Sequence, residues 1–357
     1  MNVRSVTSAA PGADGIRPRM LRRSRRGRAL EARSSAIAPC ILRLLALLWP
    51  ILPIRAVEFP EGWEFVENAH VRVGVDLSSG GGICFLGRAG SERNLLNHRD
   101  RGRLIQQSYY GIQDGSLWAG KPWRWNPVQG GDSRNHASRI LQVVREPATL
   151  TVRTQPRLWS GLRPADDVLM EQSITLEGPV VKITYTCVYS GTTRHPATHQ
   201  ETPAVFVDAA LPVLRFYAGG APWTDGILTS ITPGFPNEEH DIPENWAAYT
   251  DAEGWGVGVF VPGVSRLTAY RYAGDGSTGP DGDACSYFAP IRTFAFDRAM
   301  TFSYVAYVTM GTVEEIRARF ARIHAGGLKV RRKSRGTTPV SRRNRRLKLA
   351  RLLNPHA

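Results

Sequence analysis

Cysteine is scarce in this sequence, with four residues in 357. That number is too small for a disulfide-stapled scaffold, and no Cys-x-x-Cys or His-Glu-x-x-His pattern accompanies it. The chain also lacks a P-loop, a glycine-rich dinucleotide fingerprint and a Gly-x-Ser-x-Gly elbow, which argues against nucleotide and α/β-hydrolase chemistry. The sequence therefore predicts neither a metal nor a cofactor. Three widely spaced cysteines, Cys84, Cys187 and Cys285, leave open one disulfide beside one buried thiol.

Acidic residues are almost missing from both ends of the chain, whose formal net charge is +15. Residues 1–56 hold eleven arginines against two acidic residues, and residues 326–357 hold eleven basic residues and no acidic one. The middle, residues 57–325, has 24 basic and 29 acidic residues and is mildly acidic. The excess positive charge therefore belongs to two low-complexity ends, and it does not indicate a folded nucleic-acid-binding domain.

Long hydrophobic runs are also absent. The apolar run at residues 44–54 has eleven residues, includes two prolines and follows a basic stretch. It is too short for a membrane-spanning helix, and its context is typical of a signal peptide. We expect export to the periplasm or the extracellular space after cleavage near Ala56. The alternative is a membrane anchor formed by an uncleaved signal.

The basic tail, residues 326–357, contains no aromatic residue. Without side chains on which bases can stack, no nucleic-acid partner is expected. A block of like charges ordinarily stays solvated. The alternative is electrostatic attachment of the tail to an anionic envelope. Nothing in the sequence indicates an oligomeric state.

The middle of the chain has the pattern of β structure. Short runs of β-forming residues alternate with Gly, Pro, Asn and Asp. Examples are residues 70–76, 180–189 and 300–308. Only residues 313–323 have helical spacing, with Thr312 as N-cap and Glu315 in the capping-box position. We therefore predict an all-β fold, a large antiparallel β-supersandwich over residues 57–325 with a short C-terminal helix.

Four stretches of this β domain are dense in polar and aromatic side chains. They are residues 94–111, 118–132, 195–203 and 238–246. Sugars present hydroxyl groups and an apolar C–H face, so proteins bind them with planar hydrogen-bonding groups beside aromatic platforms. Three tryptophans within residues 118–125 place much aromatic area in one loop. The pattern predicts a carbohydrate as substrate or ligand.

A resemblance to a known family rests on the stretch Asp100-Arg-Gly-Arg-Leu-Ile-Gln-Gln-Ser-Tyr-Tyr110, which follows a strand–glycine turn–strand segment. The stretch resembles the opening of galactose-mutarotase-like β-supersandwich domains, a superfamily with aldose epimerases and domains of polysaccharide lyases and glycoside hydrolases. The similarity continues in residues 125–132, 200–205 and 244–248. It covers most of residues 57–325 and implies a carbohydrate-active site on a concave sheet.

The resemblance implies that a His acts as general acid and a Glu as general base, as in the epimerases. His199 and Glu244 are the candidates for these two roles here. It also implies that Arg103 hydrogen-bonds sugar oxygens. Independently of the family, Glu201 and Glu244 are a candidate carboxylate pair for glycosidic hydrolysis. A lyase would instead need a Tyr or His base, with Asn, Gln or Arg beside a uronate carboxylate.

Residues 103–110 supply the lyase residue types at strand spacing. Alternation places Arg103, Gln107 and Tyr109 on one face and Tyr110 on the other. Further candidate sugar-binding residues come from the aromatic stretches. These are Trp118, Trp125, Asn126, Gln129, Asp132 and Trp246.

Every candidate also has a structural interpretation. Arg103 has Asp100 as a possible ion-pair partner, a strand tyrosine commonly packs in a core, and Glu244 is free to be solvated. The co-occurrence of four polar–aromatic stretches favours a functional site. We therefore expect an exported carbohydrate-active enzyme of the glycoside hydrolase or polysaccharide lyase type, acting on a poly- or oligosaccharide. The alternative is a non-catalytic glycan-binding or structural envelope domain.

Overall fold

The computed structural model describes residues 60–326. The expected signal segment, its cleavage site near Ala56 and the basic tail beyond Gly326 lie outside the described residues. Within the described range no helix combines the length and the apolar character needed to cross a membrane.

Two large antiparallel sheets make up most of the described chain. The strands of the first sheet are β1 (Trp63–Glu67), β2 (Val71–Asp76), β3 (Gly82–Arg88), β4 (Ile105–Ser108), β7 (Pro127–Val128), β10 (Arg157–Leu158), β13 (His195–Asp208), β16 (Glu238–Asp241), β19 (Arg266–Tyr272) and β20 (Cys285–Phe296). Their order is β1-β2-β3-β4-β13-β20-β19-β16, and β7 and β10 extend the sheet beside β4.

The second sheet follows a different path through the chain. Its strands are β8 (Arg139–Glu146), β9 (Thr149–Gln155), β11 (Val168–Glu177), β12 (Val180–Tyr189), β14 (Val213–Phe216), β15 (Thr229–Ile231), β17 (Trp246–Thr250), β18 (Trp255–Phe260) and β21 (Met300–Thr312). Their order is β15-β14-β17-β18-β21-β12-β11-β9-β8. A separate hairpin pairs β5 (Gln113–Trp118) with β6 (Lys121–Arg124), and a short 3-10 helix covers Leu77–Ser79.

The main core lies between the two sheets. Valines of β2 and β13, among them Val73 and Val205, pack in one cluster with Ile183 of β12 and Val259 of β18. Burial alternates along β12 because successive side chains point to opposite faces of a strand. The predicted all-β fold of large antiparallel sheets with a short C-terminal helix is confirmed.

The single α-helix of the described chain, α1 (Val313–His324), begins directly after β21. Its N-terminus has the predicted capping box. The Thr312 hydroxyl accepts from the Glu315 amide at 3.3 Å, and the Glu315 carboxylate accepts from the Thr312 amide at 3.2 Å. Ile316 and Phe320 are fully buried against the second sheet, so an amphipathic face holds the helix there.

The three cysteines of the β domain are free thiols in different places. Cys84, Cys187 and Cys285 are each buried, and each packs in a different apolar cluster. No disulfide therefore forms among the described residues, which hold three separate thiols in place of the one disulfide and one buried thiol that the sequence left open.

Candidate functional site

The first sheet has a face that points away from the main core. Because side chains alternate along a strand, Val205 points into the core while Phe206 points to the opposite side. We call this opposite side the outer face. Its apolar and aromatic side chains form one cluster of Ala204, Phe206, Tyr270, Cys285, Tyr287, Ala289 and Ile291.

Glu201 reaches the outer face because of an irregularity in β13. Glu201 pairs with Ser108 of β4, whereas Ala204 pairs with Gln106, so three steps along β13 match two steps along β4. In a regular strand residues 201 and 204 would point to opposite faces. The bulge puts both on the outer face, where the Glu201 carboxyl meets the hydroxyl of Tyr287.

The carboxyl group of Glu201 is nearly buried and accepts two phenol hydrogen bonds. Tyr110 donates to Glu201 Oε1 at 2.8 Å, and Tyr287 donates to the same oxygen. Burial raises the pKa of Glu201, and hydrogen bonds from Tyr287, Tyr110 and Ser108 offset part of that rise. A carboxyl group with a raised pKa exchanges its proton closer to neutral pH, as general acids and bases do. We call Glu201, Tyr110, Tyr287 and Ser108 the Glu201 cluster.

The two phenols of this cluster stay protonated. Burial, and after it the charge of Glu201, raise the pKa of both Tyr110 and Tyr287 well above the ordinary value. Both are therefore hydrogen-bond donors at physiological pH. Tyr287 is buried and Tyr110 is half-buried, so Tyr110 is the more exposed residue of the two. Its backbone is fixed by Gln200, whose side chain bonds both the amide and the carbonyl of Tyr110.

His199 lies two residues before Glu201 in β13 and is half exposed. Its Nδ1 is 3.2 Å from Glu239 Oε1, and Glu239 also pairs with Arg266. Glu239 belongs to β16 and Arg266 to β19, the strands at the far edge of the sheet. The structure thus brings His199 and Glu201 onto the same strand and the same face, as neighbours in the alternating pattern.

Arg103 stands at the margin of the outer face and is already engaged. Its Nε is 3.3 Å from Asp100 Oδ2, its Nη1 donates to the Asp283 carbonyl at 2.6 Å, and its guanidinium lies 5.4 Å from the ring centre of Tyr272. The ion pair with Asp100, the structural interpretation above, is present. Since β4 begins at Ile105, strand alternation does not extend back to Arg103.

Gln107 and Tyr109 point into the interior instead. The side-chain amide of Gln107 donates to the Glu171 carbonyl of the second sheet at 3.1 Å, and the Tyr109 hydroxyl donates to Gln107 Oε1 at 2.8 Å. Tyr109 is fully buried against Phe296. The two share a face, as predicted, but Arg103 does not join them. Tyr110, on the opposite side, is the residue that contacts Glu201.

Three further candidates hold loops together. Asn126 donates to the Tyr109 carbonyl at 2.7 Å, and the side-chain oxygen of Gln129 accepts from the backbone amide of Gln107 at 3.2 Å. Asp132 receives Arg157 Nε at 2.7 Å and the ring of His136. Burial alone would raise the pKa of Asp132, but its hydrogen bonds, that from Arg157 first, hold it below the usual value. All three are buried.

Glu244 is not a free carboxylate, because its oxygens are bound by neighbouring side chains and a backbone amide. Arg317 of α1 donates two hydrogen bonds to the Glu244 carboxylate, from Nε to Oε2 at 3.0 Å and from Nη2 to Oε1 at 2.6 Å. The Trp223 amide and the Trp246 indole N–H complete its shell at 2.7 and 2.8 Å. Burial would raise its pKa, but the Arg317 bonds and the others hold it below the ordinary value. The group is buried, so the solvated interpretation does not hold.

The expected pair of Glu201 and Glu244 is not assembled. Glu201 belongs to the outer face of the first sheet, whereas Glu244 and Trp246 belong to the cluster beneath α1. The two carboxylates share no hydrogen-bond partner among the described residues. Trp246 is fully buried and serves as a donor to Glu244.

The tryptophan-rich stretch is divided between core and surface. Trp125 is buried and stacks on His195, with ring centres 4.1 Å apart. Both line a cavity of about 210 Å³ together with Asp114, Arg163, Asp166 and Asp167. Trp118, on the β5–β6 hairpin, is exposed and packs edge-on against Trp159.

Tyr287 and Ser108 are the members of the Glu201 cluster that the sequence did not single out. Tyr287 is visible in the sequence only as one aromatic residue in a β-type run, and Ser108 as one small polar residue. Their proximity to Glu201 depends on the pairing of β13 with β20 and β4. Residues 60–326 contain no group of three or more His, Cys, Asp or Glu side chains arranged to hold a metal ion.

No family model matches the chain, and no curated protein matches it. Solved structures do. A galactose mutarotase related enzyme from Lactobacillus acidophilus is 11% identical, with a TM-score of 0.45 over 70% of this chain and 97% of that one. A galactose mutarotase-like protein from Lactobacillus casei is 11% identical, with a TM-score of 0.46 over 70% and 100%. A 4-alpha-glucanotransferase from Thermococcus litoralis is 11% identical, with a TM-score of 0.40 over 69% and 37%.

Galactose-mutarotase-like structures, the family named above on sequence motifs, are thus among the structures that this chain is similar to.

Proposed function

We propose that this chain is a carbohydrate-active enzyme that uses the Glu201 cluster to move protons on a poly- or oligosaccharide. The observation that supports this most directly is the hydrogen bond from the half-buried phenol of Tyr110 to the nearly buried carboxyl of Glu201. An acid and a base in contact, beside aromatic side chains, are the groups that sugar chemistry needs. His199 adds an imidazole side chain on the same face.

The arrangement favours elimination over hydrolysis. Hydrolysis by the common two-carboxylate route needs a second free carboxyl group about 5 to 9.5 Å from the first. Glu244 is held by Arg317, and Glu239 is held by His199 and Arg266. A polysaccharide lyase needs one base and one acid. Glu201 would remove the proton from the carbon next to a uronate carboxylate. Tyr110 would protonate the departing glycosidic oxygen, leaving one unsaturated and one reducing product.

The test is a panel of neutral and uronate-containing polysaccharides, read by absorbance of unsaturated uronates, by reducing ends and by anomer exchange. We expect unsaturated products from the wild-type chain and a loss of about 10²-fold or more in Glu201→Gln. Glu171→Gln removes a half-buried carboxylate on the second sheet, one that pairs with Arg153, and should retain activity. Reducing ends without unsaturation would establish hydrolysis instead. If the folded wild-type protein forms no product from any of these substrates, the proposed enzymatic activity is refuted.

A second candidate is a glycan-binding domain without chemistry, which the surface of the β5–β6 hairpin favours. Trp118 is exposed and braced edge-on by Trp159, and Leu117 beside it is largely exposed. A braced exposed indole is a platform for the C–H face of a sugar. Co-sedimentation with insoluble glycans that is lost in Trp118→Ala, with no product formed, would establish this alternative.

We also propose that the protein is exported, with the basic tail attaching it to an anionic envelope. The order of charge and apolar residues over residues 1–56 and the eleven basic residues of 326–357 support this. N-terminal sequencing of the mature protein should give Val57. Removal of the tail should release the protein from the envelope fraction, as high salt should. An intact N-terminus on a membrane-bound protein would show the uncleaved anchor.

A further inference from the structure

A second concave site lies apart from the Glu201 cluster. It is a groove of about 370 Å³ between the end of β3 and the beginning of β18. Its lining residues are Arg88, Ser91, Arg93, Leu95, Asp251 and Trp255. None of them belongs to the outer-face cluster or to the Glu201 cluster. We call it the arginine groove.

Two arginines of the groove converge on one indole. The guanidinium carbon of Arg88 lies 5.1 Å from the ring centre of Trp255, and that of Arg93 lies 5.4 Å from it. Stacking on an aromatic face restrains a guanidinium and leaves its edge N–H donors free to bind a ligand. Two like charges repel each other, so their convergence on one ring is a feature that an anion between them would stabilise.

Neither guanidinium has an anionic partner within residues 60–326. No carboxylate lies within ion-pairing distance of Arg88 or Arg93, and neither side chain donates a hydrogen bond there. Several other arginines of the domain do have such a partner. Arg103, Arg153 and Arg317 each pair with a carboxylate. In an acidic domain with more carboxylates than cations, this pair of arginines is available for an external anion.

The groove also contains a hydrogen-bond acceptor. Asp251 Oδ1 receives the Trp255 amide at 2.8 Å, which leaves lone pairs of the carboxylate for other donors. The indole N–H of Trp255 is buried and has no acceptor in the described part of the chain. The groove therefore offers two cationic donor groups and one carboxylate acceptor, all lining it together with Trp255.

We propose that the arginine groove binds a sugar that carries an acidic group. The carboxylate, sulfate or phosphate of the ligand lies between Arg88 and Arg93, and hydroxyl groups of its ring donate to Asp251. A bare oxyanion would satisfy the arginines but would meet repulsion from Asp251 and leave it without donors. A neutral sugar would leave the two guanidiniums uncompensated. The size of the groove fits one or two sugar rings, since ligand sites commonly measure about 300 to 1,000 Å³.

The experiment uses protein labelled with 5-fluorotryptophan and read by ¹⁹F NMR, with the Trp255 resonance assigned from Trp255→Phe. Glucuronate, glucose 6-phosphate, glucose and inorganic sulfate are titrated separately. We expect the two acidic sugars to shift the Trp255 resonance at concentrations at least tenfold below those that glucose or sulfate require. The double variant Arg88→Gln/Arg93→Gln should weaken both acidic sugars at least tenfold.

A matched control removes the same charge elsewhere. Lys121→Gln/Arg124→Gln lies on the exposed β5–β6 hairpin, where Arg124 stacks singly on Trp123. This control should bind as the wild type does, and thermal unfolding should be alike for both double variants. The proposal would be overturned if glucose shifted the Trp255 resonance at the same concentrations as the acidic sugars, or if inorganic sulfate alone did so. It would also be overturned if the control variant weakened binding as much as Arg88→Gln/Arg93→Gln does.

The groove does not depend on the proposed chemistry at Glu201. Glu201→Gln should abolish product formation while the Trp255 titration stays unchanged. If Glu201→Gln loses activity while acidic sugars still shift the Trp255 resonance, both sites are supported. If the wild-type protein itself is inactive but its Trp255 resonance still responds, only the proposed enzymatic activity is refuted. A silent Trp255 resonance in an active protein refutes only the groove.

Discussion

The phenol of Tyr110 donates a hydrogen bond of 2.8 Å to Oε1 of Glu201, although 91 residues separate the two in the chain. The contact joins β13 to the segment that follows β4, beside the bulge that turns Glu201 outward. It also links the protonation of the two groups, since the hydrogen bond stabilises the charged carboxylate and the carboxylate disfavours an ionised phenol.

The first prediction concerns the pH dependence of turnover in Tyr110→Phe. The Tyr110 hydrogen bond lowers the pKa of Glu201, so its removal should raise that pKa further. If Glu201 acts as the base, the acid limb of the kcat/KM profile should move to higher pH, and turnover at high pH should also fall because the acid is gone. Tyr270→Phe, which removes a phenol without a bond to Glu201, should leave the limb in place. An unmoved limb in Tyr110→Phe would contradict the assignment.

The second prediction concerns stability rather than turnover. Burial raises the folded-state pKa of Glu201 above its unfolded value. The contribution of Glu201 to the free energy of unfolding is then fully present below the pKa of the unfolded state. It is lost as pH rises through the pKa of the folded state. Glu201→Gln cannot ionise, so it should gain free energy of unfolding relative to the wild type between about pH 5 and about pH 8. Urea unfolding at both pH values measures this. A difference that does not change with pH would show that the ionisation of Glu201 is not the cause.

The fold followed from local patterns, and the site did so only in part. Alternation and turn residues sufficed for most strands, and Thr312 with Glu315 sufficed for the start of α1. Tyr110 and Glu201 were recognisable as separate candidates. Their contact was not, because it depends on strand order and on a bulge that reverses the facing of Glu201. Glu244 was misleading because its partner Arg317 lies 73 residues further on.

The third prediction tests the structural role of Glu244. Arg317→Met leaves a carboxylate buried without its cation and should cost about 3 to 5 kcal/mol of unfolding free energy. Glu244 has a lowered pKa in the folded state. Its contribution to the free energy of unfolding is therefore present above the unfolded-state pKa and is lost as pH falls through the folded-state pKa. The difference between wild type and variant should therefore shrink in acid. Arg322→Met, exposed on the same helix, should change stability by less than about 0.5 kcal/mol.

The fourth prediction concerns the cysteines. Burial raises the pKa of Cys84 and Cys187 well above the ordinary value and that of Cys285 to about 11, so all three remain thiols at neutral pH. In protein that begins at Val57, a thiol reagent should react slowly before unfolding and with three groups afterwards, without a reductant. One reactive group after unfolding would reveal a disulfide and contradict the arrangement of free thiols.

The fifth prediction tests the attachment of α1 to β21. The Thr312 hydroxyl accepts from the Glu315 amide, an otherwise unpaired donor of the first turn. Thr312→Ala should cost about 1 kcal/mol, and Thr312→Ser should cost less because serine keeps the acceptor. Glu315→Gln retains a side chain that can accept from the Thr312 amide, but it loses the charge near the helix N-terminus and the ion pair with Arg319. Its cost should lie between those of the other two. Equal stability of Thr312→Ala and Thr312→Ser in urea would show that the hydroxyl does not cap the helix.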